Sequence, residues 1–161
     1  MTVAEFNTCV DQYADNVYRF IVKNIRDADK AQDIVQDTFE KLWIKVTELD
    51  VTRVKSYLFT TAYNTMIDSI RREKFQGDFE QIDEGKYVSQ NNFSDIRSVL
   101  TEALGKLPNI QRSVILLRDY EGYSYEEIGE ITGLNESQVK VYIYRARVFL
   151  KEYIGSLDTV V

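Results

Sequence analysis

Apolar residues recur at helical spacing along the first part of the chain. The first predicted helix begins near Thr2, whose hydroxyl can cap it while Glu5 reaches back to the backbone. The apolar side chains of this helix are Phe6, Val10, Tyr13, Val17 and Ile21. The strict apolar and polar alternation typical of strands occurs nowhere in the sequence. The pattern therefore predicts helices without a sheet.

Two more helices are predicted before residue 76. One follows residues 27–29 and the other runs from about Arg53 to Phe75. The first Gly or Pro in the chain is Gly77, so nothing interrupts a helix before that point. We expect these two helices to bury Ala31, Ile34, Val35, Thr38, Phe39, Leu42 and Val46, and Leu58, Phe59, Ala62, Tyr63, Met66 and Ile70, respectively.

Residues 76–96 break the helical pattern. They contain two glycines, five acidic residues and one lysine, with no apolar periodicity. Helical patterns resume at residues 96–104, 110–120, 125–132 and 136–153. The fold class predicted is all-α, with two small helical domains, residues 1–75 and 97–161, joined by the acidic linker 76–96.

Charge limits the possible binding modes. The 161 residues include 20 Lys and Arg and 26 Asp and Glu, a formal charge of −6, which excludes an indiscriminately polybasic nucleic-acid binder. Residues 51–75 nevertheless carry five basic and two acidic side chains. Any DNA binding must come from such local patches.

Residue usage also limits the chemistry. The chain has no His and a single Cys, Cys9, which excludes His-based catalysis, Cys-His nucleophiles and thiolate or imidazole zinc sites. A metal site could only be all-carboxylate, and no glycine loop that could cradle a phosphate accompanies the carboxylates. We expect no catalysis and no cofactor.

The compartment follows from similar observations. One Cys cannot form an internal disulfide, and the N-terminus lacks a signal-peptide pattern. The longest aliphatic run, Val114–Leu117, is too short to span a bilayer. We expect a cytoplasmic protein, with no further domain after the last helix.

The most specific local motif runs from Ser124 to Leu150. Ser124 and Glu127 have capping-box spacing, Gly133 permits a tight turn, and Asn135 can cap the next helix. The apolar residues on either side of the turn face each other: Ile128, Ile131 and Leu134 against Val139, Ile143, Ala146 and Leu150. This spacing is typical of a helix-turn-helix, and a plain helical hairpin is the alternative.

The outward face of the last helix favours contact with DNA. Cations can bond guanine edges or phosphates, and a ring or a Val methyl can contact thymine methyls. A merely solvated face is the alternative. The residues on this face and its flanks are Ser137, Lys140, Val141, Tyr144, Arg145, Arg147, Val148 and Lys151.

Two faces of the first domain are also candidates. On the third helix, Asn64 shares a face with Tyr57 and Thr60, groups that suit unpaired bases, although Asn64 and Asp68 could instead bond neighbouring helices. Arg71, Arg72 and Lys74 could contact phosphates or the helix dipole. The second helix presents an acidic face that is either solvated or bound by a basic protein: Asp33, Gln36, Asp37 and Glu40.

Both halves together resemble a known family. The segments Ala31–Trp43, Val54–Lys74 and Leu107–Gly133, followed by VKVYIYRAR, resemble bacterial extracytoplasmic-function (ECF) sigma factors in order and spacing. The resemblance covers nearly the whole chain. It implies a dissociable subunit of RNA polymerase that confers promoter specificity, binding core polymerase, melting the promoter and starting transcription.

The resemblance implies roles for particular residues. The first domain is similar to sigma region 2, whose acidic face, here Asp33, Gln36, Asp37 and Glu40, would dock on the clamp coiled coil of the largest polymerase subunit. The turn 47–52, with Leu49 and Asp50, would capture a flipped base of the minus-10 element, and Asn64, Arg71 and Arg72 would contact the melted strand. The second domain is similar to region 4, which binds the flap of the second-largest subunit and reads the minus-35 element, here with Ser137, Lys140, Val141, Tyr144, Arg145 and Arg147.

The resemblance also implies an anti-sigma factor as a partner, besides core polymerase and promoter DNA, and no small-molecule substrate. Two other classes of protein stay open from the residues alone. A stand-alone helix-turn-helix regulator would need a dimer surface, and no apolar dimerising heptad is evident. An all-carboxylate enzyme or metal protein would need measurable turnover or metal binding.

Overall fold

The computed structural model describes residues 1–77 and 96–158, which form helices and turns and no strand. The chain divides into two compact units, unit 1 (residues 1–84) and unit 2 (residues 85–161). Most of the predicted linker, residues 78–95, lies outside the described residues, so the three predicted segment bounds stay a prediction. The all-helical prediction is confirmed for the described ranges.

The described part of unit 1, residues 1–77, forms three helices that all pack against one another: α1 (Val3–Ile25), α2 (Ala28–Ile44) and α3 (Val54–Gly77). A short 3-10 turn (Val51–Arg53) precedes α3. Phe20 of α1 and Phe59 of α3 meet at the centre, with ring centroids 5.7 Å apart. The predicted core residues Ala31, Ile34, Thr38, Phe39, Leu42, Leu58, Phe59, Ala62, Tyr63 and Met66 are buried.

Local capping fixes both ends of α1. The Thr2 N–H donates to Glu5 Oε1 at 2.9 Å, and the Glu5 N–H donates to Thr2 Oγ1 at 3.1 Å. The hydrogen bond from the Thr2 N–H lowers the pKa of Glu5, because it favours the charged carboxylate. Arg26 ends α1 in the left-handed conformation (φ 56°), and the Asp27 side chain then caps α2. The chain thus turns back within two residues.

The end of α2 differs from the predicted pattern. This helix stops at Ile44, so Val46 lies in the following turn and is half-buried rather than in the core. Val35 and Ile70, also predicted to be buried, are half-buried. Helical periodicity places these residues on the inner half of a helix, but the packing of three helices leaves the edges of each apolar face partly uncovered.

In unit 2, residues 96–158 form four α-helices: α4 (Ile96–Lys106), α5 (Asn109–Ile115), α6 (Tyr125–Thr132) and α7 (Glu136–Asp158). The sequence pattern predicts one helix over 110–120, but the winding changes at Leu116, where a π-helical turn (Leu116–Tyr120) begins. The Glu121 N–H bonds to the Leu116 carbonyl, five residues earlier, at 3.1 Å. Residues 116 and 117 stay buried, while Arg118 and Asp119 reach the surface.

The α6 and α7 pair has the predicted helix-turn-helix features. Ser124 and Glu127 form a reciprocal capping box, as do Asn135 and Gln138. Gly133 adopts φ 81°, a conformation that glycine accepts without strain. The turn also requires a second glycine that the pattern does not single out, Gly129, since a Cβ there would lie 2.7 Å from the Leu134 carbonyl oxygen.

Candidate protein and nucleic-acid interfaces

The acidic face lies along the outside of α2. Its members Asp33, Gln36, Asp37 and Glu40 are all exposed, because Ile34, Thr38 and other residues on the opposite side of α2 fill the core. The Gln36 amide donates to the Glu40 carboxylate at 3.4 Å, one helical turn away. The structure therefore brings the four predicted side chains together on one accessible surface.

An apolar groove adjoins the acidic face. It has a volume of about 580 Å³ and is lined by Phe6, Phe39, Trp43 and Ile44, with Gln36 and Glu40 at its rim. Trp43 is 47% exposed and Ile44 is 77% exposed, and the Phe6 ring stands edge-on to the Trp43 ring at 5.0 Å. Exposed side chains of this size mark binding surfaces. The sequence analysis did not predict this groove, although Trp43, an aromatic residue about one helical turn beyond Phe39, could have indicated an exposed apolar surface.

A polar groove of about 410 Å³ lies between α2 and α3. The exposed predicted residue Asn64 lines it, together with Lys41 and Lys45 from α2. The Lys41 ammonium donates to Thr65 Oγ1 at 3.0 Å, and the Lys45 ammonium lies 6.0 Å from the centre of the Tyr57 ring. Ile44, Thr61 and Asp68 complete the lining.

The two lysines were not among the predicted site residues, because a helix sequence does not show which neighbour its polar side faces. The alternative interpretation of Asn64 and Asp68 finds no support. Among the side chains described for residues 1–74, neither is seen to bond a neighbouring helix.

The other predicted minus-10 residues lie outside the lining of the polar groove. Leu49 is half-buried and Asp50 is exposed in the turn before α3, where the Asp50 carboxylate accepts from the Thr52 N–H at 3.3 Å. Arg71 and Arg72 are exposed about two turns beyond Asn64 on α3. The structure thus groups Asn64 with lysines and a ring, and places Leu49 and Asp50 on a separate, capped turn.

The predicted recognition face covers the outside of α7. All six of its residues are exposed, Tyr144 by 70% and Val141 by 45%. Val139, Ile143 and Ala146 on the inner side are buried. The recognition face consists of Ser137, Lys140, Val141, Tyr144, Arg145 and Arg147.

Most of the cations near the recognition face form ion pairs or cation-π contacts with other side chains of unit 2. The Arg147 guanidinium donates to Asp119 Oδ1 at 2.8 Å, a hydrogen bond that raises the pKa of Arg147. Lys140 lies 3.6 Å from the Glu136 carboxylate and 5.5 Å from the centre of the Tyr125 ring. Arg118, from the π-helical turn, stacks on the same ring at 4.5 Å. Sequence reasoning did not find Arg118, Asp119 or Tyr125 as neighbours of α7.

Residues 1–77 and 96–158 contain no group of three Cys, Asp or Glu side chains arranged to hold a metal ion. In the same ranges, no helix combines the length and apolarity needed to cross a membrane.

Family models match both units. The model for sigma-70 region 2 matches residues 9–76, and the model for sigma-70 region 4 matches residues 97–150. The RNA polymerase sigma factor SigV of Bacillus subtilis is 32% identical over 160 residues, covering 98% of this chain and 95% of SigV. The ECF RNA polymerase sigma factor SigM of the same organism is 29% identical and covers 94% of each chain.

Solved structures agree with these matches. The sigma factor RpoE, in complex with the anti-sigma factor NepR from Bartonella quintana, superposes with a TM-score of 0.79 at 25% identity, covering 95% of this chain and 98% of RpoE. CnrH, in complex with the cytosolic domain of CnrY, gives a TM-score of 0.67 at 23% identity, covering 94% and 88%, and supports the fold. The chain therefore belongs to the RNA polymerase sigma factors, in the ECF group. The predicted family, fold and function as an ECF-type sigma factor are confirmed.

Proposed function

We propose that this sigma factor binds core RNA polymerase through unit 1, directs it to promoters that both units read, and catalyses no reaction itself. The observation that carries this proposal is the presence of region 2 and region 4 matches in one chain, over residues 9–76 and 97–150. One unit can then read melted DNA and the other can read duplex DNA. The polymerase supplies the chemistry.

The polymerase contact is assigned to the acidic face and the adjoining apolar groove of unit 1. Carboxylates beside exposed Trp43 and Ile44 suit a partner helix that has basic residues along an apolar ridge. The clamp coiled coil of the largest subunit is the partner inferred, with Asp33, Gln36, Asp37 and Glu40 contacting its cations. We assign the flap of the second-largest subunit to unit 2.

The minus-10 element is assigned to the polar groove and the turn before α3. An unpaired strand needs stacking surfaces, amides for base edges and cations for phosphates. Tyr57, Asn64 and the groove lysines supply these groups, and Arg71 and Arg72 extend the basic surface along α3. Leu49 and Asp50 would receive a flipped base, whose unstacking costs about a few kcal/mol that contacts in the turn must offset.

The minus-35 element is assigned to α7. A recognition helix contacts base edges mainly through its first turns, which here carry Ser137, Lys140 and Val141. Tyr144, Arg145 and Arg147 follow on the next turns, within reach of bases or of the flanking phosphates. The net charge of −6 predicts weak binding to DNA by the isolated chain, so promoter reading belongs to the complex with polymerase.

An anti-sigma factor and a cytoplasmic location complete the proposal. RpoE, which is similar along 95% of this chain, was solved bound to the anti-sigma factor NepR. A protein that covers the polymerase-binding surface would keep this sigma factor inactive by occupying the same side chains. The single Cys9, which is buried, fits a reducing compartment.

Co-elution with core RNA polymerase on size exclusion tests the proposal. Asp37→Arg reverses a charge at the centre of the acidic face, so we expect it to abolish co-elution while the circular dichroism spectrum stays unchanged. Asp11→Arg, the same charge reversal at an exposed site on another helix, α1, is the matched control and should co-elute like the wild type.

Unchanged co-elution of Asp37→Arg would remove the assignment of the acidic face. A wild-type chain that fails to bind its own core polymerase, yet binds symmetric duplex sites as a dimer, would favour the stand-alone regulator instead.

A further inference from the structure

Three cations from two elements of unit 2 are linked through one aromatic ring and one carboxylate. Arg118 from the π-helical turn and Lys140 from α7 both lie over the Tyr125 ring, and Arg147 from α7 bonds Asp119, the residue next to Arg118. We call these three residues the cation cluster. Two carboxylates also reach it, Asp119 on Arg147 and Glu136 on Lys140. Positive charge at this surface is therefore partly neutralised by the protein itself.

We propose that the cation cluster is a binding site for a phosphate of the DNA backbone, and that the Asp119 carboxylate occupies it in the DNA-free chain as an intramolecular competitor. The inference rests on the proposed reading of duplex DNA by unit 2, and it adds Arg118 and Asp119, which lie outside the recognition helix. Asp119 thereby lowers the affinity of the chain for DNA, and a DNA phosphate displaces its carboxylate from Arg147 on binding.

The chemistry of this ion pair supports the assignment. A carboxylate oxygen and a phosphate oxygen are both anionic acceptors that bond a guanidinium at similar distances, and the 2.8 Å between Arg147 and Asp119 is typical of such a bond. Asp119 uses one Nη atom of a group that offers five N–H donors. The rest of the guanidinium remains available to an incoming anion.

The geometry also allows displacement. The side chains of Arg147 and Asp119 are 50% and 42% exposed, so water and DNA can reach the pair. An ion pair with this exposure contributes little to folding stability, and breaking it leaves no buried charge. Arg118 is held on the ring by the stacking and by a hydrogen bond from its Nη1 to the Tyr123 carbonyl at 2.9 Å. The site thus keeps one cation fixed while another exchanges partners.

Binding of a labelled DNA duplex of mixed sequence to the full chain tests the inference, because phosphate contacts do not depend on sequence. Fluorescence anisotropy over a series of salt concentrations gives the affinities. We expect Asp119→Asn to bind about two- to fivefold more tightly than the wild type, the range set by one exposed ion pair. Arg147→Ala should bind more weakly and reduce the salt slope by about one unit.

Two controls separate competition by the Asp119 carboxylate for Arg147 from a general effect of removing negative charge. Glu130→Gln removes the same charge from an exposed site on α6 that has no ion pair with α7 among the described residues, and it should raise affinity less than Asp119→Asn. The double variant Asp119→Asn with Arg147→Ala should match Arg147→Ala alone, since the effect of Asp119 acts through Arg147.

Several results would overturn the inference. One is an equal gain in DNA affinity for Glu130→Gln and Asp119→Asn, and another is the same gain from Asp119→Asn when Arg147 is already replaced by Ala. A third is weaker DNA binding by Asp119→Asn than by the wild type, which would make Asp119 a positioning residue for Arg147. Absence of duplex binding in all variants would also overturn it. Co-elution with core polymerase would still uphold the proposed function in each case, so the two failures are distinguishable.

Discussion

The two units present their candidate surfaces in different ways. In unit 1, two candidate surfaces besides the acidic face are grooves between packed helices: Trp43 and Ile44 line an apolar groove, and Asn64 lines a polar one. In unit 2 the surface is the outer side of the single helix α7, with Val141 and Tyr144 projecting from it. A groove depends on how its walls pack, whereas a convex face depends on the side chains of one helix.

The two units also differ in the partners of their cations. In the polar groove, which Asp68 also lines, Lys41 bonds the Thr65 hydroxyl and Lys45 lies 6.0 Å from the centre of the Tyr57 ring, so the partner seen for each lysine is a neutral group. Near α7 the carboxylates of Glu136 and Asp119 accompany Lys140 and Arg147. The two lysines of the polar groove are therefore paired with uncharged groups, whereas these two cations of α7 are paired with carboxylates.

The largest effect is expected from breaking the packing beneath the grooves. Phe59→Ala removes a fully buried ring that contacts Phe20, which costs about 3–5 kcal/mol in the free energy of unfolding. Because α3 forms one wall of the polar groove and supports α2, co-elution with core polymerase should be abolished as well. Urea denaturation followed by circular dichroism measures the first effect.

Ile44→Ala is the control for this packing argument. Ile44 is 77% exposed, so its removal should change the free energy of unfolding by no more than about 0.5 kcal/mol, yet weaken polymerase binding. Polymerase binding by Phe59→Ala at the wild-type level would show that the grooves do not depend on the core.

A smaller effect, confined to recognition, is expected from the convex face. Lys140→Ala with Tyr144→Ala removes two exposed groups and should cost about 1–3 kcal/mol of discrimination for each base that these side chains would otherwise read. Co-elution with polymerase and the unfolding midpoint should stay at wild-type values. Competition between promoter fragments with intact and altered minus-35 elements, bound by the holoenzyme, measures the discrimination.

Lys151→Ala, on the same side of α7 further from the turn, provides the matched control and should retain discrimination. If the double variant discriminated as well as the wild type, another surface of unit 2 would have to read the minus-35 element.

Much of the fold could be predicted from the sequence because helical periodicity and capping are local. The Thr2–Glu5 and Ser124–Glu127 boxes form as their spacing indicates, and the helix-turn-helix closes at Gly133. The π-helical turn and the tight approach at Gly129 could not be predicted. Both depend on where a distant backbone passes, and periodicity carries no information about that distance.

The candidate site was predictable only in part, for the same reason. Periodicity places the members of the acidic face and of the recognition face on common sides of α2 and α7. It does not show that Lys41 and Lys45 meet Asn64 across a groove, or that Asp119 reaches Arg147, 28 positions along the chain. Contacts between helices need the packed structure, whereas contacts along one helix do not.

The smallest effect is expected at the polar groove, from a single amide. Asn64→Ala removes a side chain that can hydrogen-bond the edge of an unpaired base, and one such bond contributes about 0.5–1.5 kcal/mol. We therefore expect roughly a two- to tenfold loss of holoenzyme affinity for a promoter fragment with a premelted minus-10 element, with no loss for a fully paired minus-35 fragment.

Asn7→Ala, at an exposed position on α1, is the control and should leave both affinities unchanged. Because Ala has the higher helix propensity, the stability of Asn64→Ala should not fall, so weaker binding would reflect the missing hydrogen bond. Equal affinity of Asn64→Ala and wild type for the premelted fragment would move the minus-10 site away from the polar groove and onto the turn that carries Leu49 and Asp50.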